Sequence, residues 1–244
     1  MIRRADIVLV ERGLFESRAK ARAAIEAGLV VVAGVVVTKP AELVDPDAAI
    51  EARAAHPWVS RAGLKLEGGL DVFDLSPRDL VCLDVGSSTG GFTEVLLARG
   101  AARVYAVDVG REQLHASLRA DPRVVSMEST DARSLDPSMF DAPPELVVCD
   151  ASFISLKLVL PRALELAAPG AVLIALIKPQ FEAGRERVGK GGIVRDPEVH
   201  YDVCLDIRGF LGAAGWNVIG LEPSPIAGGD GNREFLVAAR KPLA

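Results

Sequence analysis

The chain is 244 residues long, half of them hydrophobic and a quarter charged, with a formal net charge of −5 and a pI of about 5.4. That is a globular composition, long enough for one large or two ordinary domains. It excludes a globally basic surface, so any nucleic-acid site has to be a local patch.

The first 55 residues read as a small α+β domain. A helix is predicted over 6–12, carrying Ile7, Val8 and Val10 and broken by Gly13. Ser17 is a good N-cap for a second helix through Ala27, with Gly28 just past its end. The β-branched runs 29–32 and 35–37 flank Ala33-Gly34 and predict a tight hairpin. The stretch to Ala55 is polar and acidic and reads as irregular, with a turn at Asp45-Pro46-Asp47. His56-Pro57-Trp58-Val59 is a connector (residues 56–59), in which Trp58 is expected to pack between the domains.

From residue 60 to 244 strands and helices alternate. Ser60 is placed as the cap of a helix carrying Leu64, Leu66, Leu70 and Val72. Strands follow over Val81–Val85, 103–107, 123–127, Leu146–Cys149 and 171–177, separated by helices over 92–99, 111–118 and 156–167. A helix over Pro197–Ala213 precedes two last strands, 218–221 and 234–239, which have no helix between them and are expected to pair antiparallel at one side of the sheet. Buried strands alternating with crossover helices predict a doubly wound, mostly parallel α/β sheet with an antiparallel last strand. The longest apolar run, 171–177, is far short of a membrane span. Near the N-terminus the apolar stretch is too short for a secretory signal. Cys82, Cys149 and Cys204 show no CxxC spacing and read as reduced core residues, with no metal site. A cytoplasmic protein is the expectation.

The first strand of the second domain runs into Asp84-Val-Gly86-Ser87-Ser88-Thr89-Gly90-Gly91-Phe92-Thr93. Glycines here allow a sharp strand-to-helix turn and close backbone approach to a ligand. The loop has neither GxGxxG nor GK[ST] spacing, and no basic residue to meet phosphates. Asp108 ends the second strand, where a carboxylate commonly takes ribose hydroxyls, and Asp131 follows the third strand near an adenine position. An acidic, phosphate-free pocket suits S-adenosylmethionine, whose sulfonium and amino groups are cationic.

Four further residues carry the chemistry. Lys65 lies ahead of the first strand, Asp150 and Lys178 end the fourth and fifth, and Glu234 opens the last. Ligands in open α/β sheets sit at the carboxyl ends of the strands. Two lysines and two carboxylates there suit removal of a proton from a weakly acidic hydroxyl. A lysine serves as base only if its ammonium form is destabilised, by burial or by a second cation such as Lys65; a charged Lys178 would instead stabilise negative oxygen.

These residues carry a resemblance. DVGSSTGGFTEVLL, VVCDASFISL, LIKPQFE and NREFL together resemble the TlyA, or hemolysin A-like, family of the wider FtsJ-like ribosomal RNA methyltransferases. SRAGLKLEGGL resembles that family's entry to its catalytic domain, and the first 60 residues resemble an S4 RNA-binding domain. The resemblance implies a Rossmann-like methyltransferase fold, S-adenosylmethionine as donor, and 2′-O-methylation of a ribose, of cytidine, in ribosomal RNA. It places a K-D-K-E set on Lys65, Asp150, Lys178 and Glu234. It also makes Arg12, Arg18, Lys20, Arg22 and Lys39 the RNA face, with ribosomal subunits rather than DNA or membrane as partner. Ser88 stands where many methyltransferase loops have a second glycine. Other readings are a nicotinamide oxidoreductase, which leaves both lysines without a role, and a non-catalytic ribosome-assembly factor. The basic glycine-rich stretch 184–192 reads equally as a mobile flap over RNA next to Lys178 and as a disordered insertion. The pore-forming activity in the family's second name has no support in the residues.

Overall fold

The computed structural model describes residues 2–243, which divide into two compact units, one up to Pro57 and one from Trp58.

The first unit contains β1 (Arg3–Arg4), α1 (Ala5–Glu11), α2 (Arg18–Glu26), β2 (Val30–Val32), β3 (Val35–Val36), β4 (Leu43–Val44) and β5 (Ile50–Ala52). Ser17 caps α2 as expected, its hydroxyl accepting from the Lys20 N–H. The hairpin is also as expected: Val32 pairs with Val35, and Ala33 and Gly34 both have positive φ, the requirement of a type I′ turn. Three strands were not foreseen. β5 pairs with β2, and β1 with β4; strands of two or three residues are too short to carry an alternation signal.

Beneath α1 and α2 lies a core of Val8, Leu9, Ala21, Ala24, Ile25 and Val30. Asp6 is buried there with no accessible surface. Both its oxygens take hydrogen bonds from Arg4, at 2.9 and 3.1 Å, and Oδ2 takes two more from Arg18, at 2.7 and 3.1 Å. Those partners, Arg4 foremost, hold its carboxyl down at about 2 against the cost of burial.

The second unit contains α3 (Ala62–Val72), β6 (Val81–Val85), α4 (Gly91–Ala98), β7 (Arg103–Asp108), α5 (Ala116–Arg119), β8 (Val124–Glu128), β9 (Leu146–Cys149), α6 (Leu156–Val159), α7 (Pro161–Leu166), β10 (Val172–Ile177), α8 (Pro179–Glu182), α9 (Pro197–Ala213), β11 (Asn217–Pro223) and β12 (Phe235–Arg240). The strands form one sheet in the order β11-β12-β10-β9-β6-β7-β8, in which β12 alone runs antiparallel to its neighbours. The mostly parallel sheet and its antiparallel last strand are as the alternation of elements predicted.

Side-chain alternation splits the strands between two cores. Leu83, Val85, Cys149, Ile177 and Val237 face α6, α7 and α9. Cys82, Val148, Ile174, Leu176 and Leu236 face α3 and α4. Gly69 of α3 lets that helix lie close to the sheet: a Cβ there would touch Leu236 and Ile174 at 3.4–3.5 Å. All three cysteines are free and buried, and burial pushes the Cys149 thiol up to about 12. Among the described residues no helix is long and apolar enough to cross a membrane.

Three helix expectations are corrected. Ser60 does not cap α3, whose N-cap is Arg61 without a side-chain bond. The helix expected over 111–118 is only Ala116–Arg119: the N–H groups of Gln113 and Leu114 both donate to Glu128 Oε1, and Glu112 has positive φ, so the preceding turn cannot form. The helix expected over 156–167 breaks between α6 and α7, where Pro161 lacks the N–H that would continue it. Trp58, expected between the domains, packs in the second unit's core with Leu66 and Leu70, its Nε1–H donating to Glu67 at 3.2 Å.

Because Asp6 binds protons more weakly folded than unfolded, its contribution to stability is present above about pH 4 and is lost as pH falls toward 2. Asp6→Asn should lose about 1–3 kcal/mol at pH 7 and no longer weaken in that acid window. Hydrogen exchange of the intact chain should show faster exchange across residues 3–44 with residues 62–240 still protected.

Candidate active site

The sheet changes winding direction between β6 and β9, and the crevice at such a point is where ligands bind in doubly wound folds. Here β6 ends in the glycine-rich loop and β9 ends in Asp150, whose N–H donates to Val85 O at 3.1 Å. Gly86 turns at φ +82°, and a Cβ on it would lie 2.9 Å from the Ala151 backbone; only glycine lets the two strand ends come this close. Ser88 also has positive φ, and its N–H donates to Asp108 Oδ2 at 2.8 Å. Asp108 Oδ1 accepts from Gly110 N–H at 2.7 Å, so this carboxylate ties the loop to the end of β7.

Two cavities meet at this crevice. The larger, about 430 Å³, is bounded by Gly86, Ser88, Asp108, Asp131, Asp150 and Ser152 among others. The smaller, about 220 Å³, shares Gly86, Ser88, Asp150 and Ser152 and adds Ser87, Thr89, Gly91, Phe92 and Lys178, closed by Ser60 and Ala62 from the start of α3. Three carboxylates line the larger cavity. Its one cationic side chain, Arg133, is held by Asp131 in a forked pair at 2.6–3.0 Å. Among the described residues no free cation is left there for a pyrophosphate, whereas a cationic nucleoside fits the donor set.

Asp84, Gly90 and Thr93, grouped with the loop on sequence grounds, line neither cavity. Asp84 is fully buried beneath the loop, where the Thr93 hydroxyl donates to it at 2.7 Å while Oδ1 has no partner. Burial pushes its carboxyl up to about 7, with Asp150 and Asp108 adding to the rise and Thr93 opposing it.

Strand alternation brings the four chemistry-bearing residues to one face. Asp150 follows Cys149 and Lys178 follows Ile177, so each turns toward the α3 side, as Val148 and Leu176 do. Ile177 pairs with Phe235, which sets Lys178 beside Glu234 at the next step of the antiparallel ladder. Lys178 Nζ lies 2.6 Å from Asp150 Oδ1 and donates to Ser152 Oγ at 2.8 Å and Asp150 O at 3.2 Å. Lys65, one turn before Gly69, reaches Glu234 Oε2 at 2.5 Å. Both pairs are buried, no member being more than 13 % exposed.

Sequence reasoning missed several cavity residues. Ser152 stands two residues after Asp150 in the same motif, and that position was its only signal. Phe153 lines the larger cavity with a positive φ; its ring is 90 % exposed and its centroid lies 5.2 Å from that of Phe181. In the first unit, Arg12 donates to Pro46 O and Ala48 O, Arg18 is taken by Asp6, and Lys20 pairs with Glu16 at 2.7 Å. Arg22 and Lys39 are exposed and have no ion-pair partner among the described residues.

Comparison with known proteins places the chain. The S4 domain family matches residues 3–50 and the FtsJ-like methyltransferase family matches residues 58–241. The 16S/23S rRNA (cytidine-2′-O)-methyltransferase TlyA of Mycobacterium tuberculosis is 45% identical over 239 residues, covering 97% of this chain and 89% of the relative. Hemolysin A of Brachyspira hyodysenteriae is 42% identical, covering 96% and 98%. A solved structure described as a hemolysin from Streptococcus thermophilus superposes with a TM-score of 0.79 at 44% identity, covering 99% of this chain and 89% of that one. An S-adenosylmethionine-dependent methyltransferase from Listeria monocytogenes, at 15% identity and a TM-score of 0.55 over 74% of this chain and 98% of its own, shares the fold. The resemblance read from DVGSSTGGF, VVCDASF, LIKPQFE and NREFL is thus borne out: the chain belongs to the FtsJ-like methyltransferases, in the TlyA branch that carries an S4 domain ahead of the catalytic one.

Proposed function

We propose that this protein methylates a ribose 2′-hydroxyl of a cytidine in ribosomal RNA, with S-adenosylmethionine as donor. The observation that carries the reading is the Lys178–Asp150 pair, buried at the junction of an acidic cavity with the smaller pocket beside it. When bound, S-adenosylmethionine supplies an electrophilic methyl group on a cationic sulfur. Gly86, Ser87, Ser88, Thr89, Gly91 and Phe92 would hold it, with Asp108 and Asp131, while Asp84 and Thr93 act from beneath by fixing the loop.

The acceptor ribose would approach the edge of the smaller pocket that Lys178 lines. Bound S-adenosylmethionine would supply the methyl group by cleavage of its S–C bond, leaving as S-adenosylhomocysteine, and the Lys178–Asp150 pair would take the proton of the ribose hydroxyl. Ser152 and the Asp150 carbonyl keep the amine aimed. The Lys65–Glu234 pair, on the adjoining strand, sets the height of α3 over the pocket. Most of the barrier reduction comes from aligning oxygen and methyl carbon. Phe153 offers an exposed ring on which a base can stack. Of the five basic residues expected on the RNA face, Arg22 and Lys39 are exposed and free of ion pairs among the described residues; Arg12 and Arg18 serve the fold first.

Transfer of labelled methyl to ribosomal subunits from cells lacking the gene, followed by mapping of 2′-O-methyl positions, tests the reading; absence of any 2′-O-methyl product overturns it. Lys178→Ala should lower turnover at least about 100-fold with S-adenosylmethionine affinity retained by calorimetry. Lys178→Arg, which keeps charge but cannot accept a proton, should be similarly slow.

The buried Asp84 gives a separate prediction. Its folded carboxyl binds protons more tightly than the unfolded one, so its ionisation destabilises the fold as pH rises from about 4 to 7. Asp84→Asn mimics the neutral form and should raise stability at pH 8, by on the order of a few kcal/mol at most, with little gain at pH 4. Thermal melts at the two pH values measure it.

On the RNA side, Arg22→Ala and Lys39→Ala should each reduce the salt slope of RNA affinity by about one unit or less. Arg12→Ala should act on the fold, because its guanidinium holds two backbone carbonyls.

A further inference from the structure

Residues 184–195 follow the short helix after Lys178 and carry Arg185, Arg187, Lys190 and Arg195 among four glycines. In a chain of net charge −5 this is a concentration of positive charge. Arg187 is tied down, its Nε–H donating to Ala183 O at 2.8 Å and Nη1 to Asp202 at 3.1 Å. Arg185, Lys190 and Arg195 are exposed and have no ion-pair partner among the described residues.

The polar anchor of this loop is one buried amide. Asn232 is 1% exposed. Its Oδ1 accepts from Val194 N–H at 3.0 Å and its Nδ2 donates to Gly192 O at 3.0 Å. With a donor at one end and a carbonyl at the other, only one orientation of the amide satisfies both. Val194 O in turn accepts from His200 Nε2 at 3.0 Å, and that buried ring packs edge-on against Phe235 at 5.5 Å. The backbone O of Asn232 accepts from Gly228 N–H at 2.9 Å. Gly228 lies directly against Glu234: a Cβ on it would sit 2.5 Å from Glu234 Oε1. The other oxygen of Glu234 holds Lys65. One side chain thus fastens the basic loop to the segment that packs on the Lys65–Glu234 pair.

We propose that Asn232 is a positioning residue for substrate binding. It holds the 184–195 loop in the one arrangement in which Arg185, Lys190 and Arg195 meet the phosphate backbone of RNA next to the catalytic pocket. The inference rests on the reading of this protein as an RNA methyltransferase, and goes beyond it by naming what docks the polyanion on the catalytic unit.

The test is Asn232→Asp in the full chain. Aspartate keeps the size and the acceptor for Val194, loses the donor to Gly192, and sets a carboxylate against that carbonyl. The expected result is a KM for ribosomal RNA raised about tenfold, kcat within about twofold, and unchanged S-adenosylmethionine affinity. Direct RNA binding by fluorescence anisotropy should weaken equally and show a shallower salt slope. The triple variant R185A/K190A/R195A should reproduce the effect, and combining it with N232D should add less than the sum of the two. Unchanged RNA affinity in either variant overturns the proposal. So does a fall in kcat at constant KM, which would mean that Asn232 serves the ion pair alone. The triple variant touches no buried group, so it decides the matter even if N232D fails to fold. Should the wild-type protein transfer no methyl group to RNA, the functional reading fails, and the anisotropy measurement still judges the loop.

Discussion

One buried ion pair spans the catalytic unit from end to end. Lys65 on the first helix and Glu234 at the last strand are 169 residues apart and meet at 2.5 Å with almost no solvent contact. Removing either partner of such a pair leaves an uncompensated buried charge, at a cost of about 3–5 kcal/mol. The pair is affordable here because the surrounding geometry is fixed by packing: Gly69, one turn after Lys65, presses α3 against Leu236 and Ile174. Glu234 is in turn the cross-strand neighbour of Lys178. The position of α3, the end of β12 and the aim of Lys178 therefore depend on one another.

Much of this was legible in the sequence because it follows from period-two alternation. Asp150, Lys178 and Glu234 each stand one step beyond or before an apolar run, and the parity of those runs decides which face they join. Cys149, Ile177 and Phe235 point to one core, so their neighbours point to the other. The parts that were not legible share a different cause. β1, β4 and β5 are two or three residues long and exist only through non-local pairing. The expected helix over 111–118 has reasonable composition, yet Glu128, fourteen or fifteen residues away, claims its amides. Local propensity cannot report a competitor that arrives from another strand.

The loop residues show the same limit. Asp84 and Thr93 sit in the motif beside true cavity residues, and spacing alone gives no reason to separate them. The structure does: they bond to each other under the loop, on the α4 side of β6. Their contribution is to hold the backbone whose surface meets the cavity. Ser88 is the converse case. It accepts a left-handed conformation that glycine would adopt at lower cost, and its backbone N–H, which glycine would offer equally, donates to Asp108 and fastens the loop to β7.

The charge balance of the site constrains how a lysine can work in it. A second cation near Lys178 would favour an uncharged amine, and Lys65 was the candidate for that role. Lys65 is instead paired with Glu234 at 2.5 Å. Lys178 itself has three oxygen neighbours: it donates to Ser152 Oγ and Asp150 O, while Asp150 Oδ1 at 2.6 Å is an ion-pair contact without hydrogen-bond geometry. For the amine to take a proton from a hydroxyl, one of those three contacts has to be given up. Ser152 and Asp150 both line the two cavities, and the Ser152 hydroxyl can rotate without moving a strand. The surroundings of the two lysines are thus set by the two carboxylates, Asp150 against Lys178 and Glu234 against Lys65.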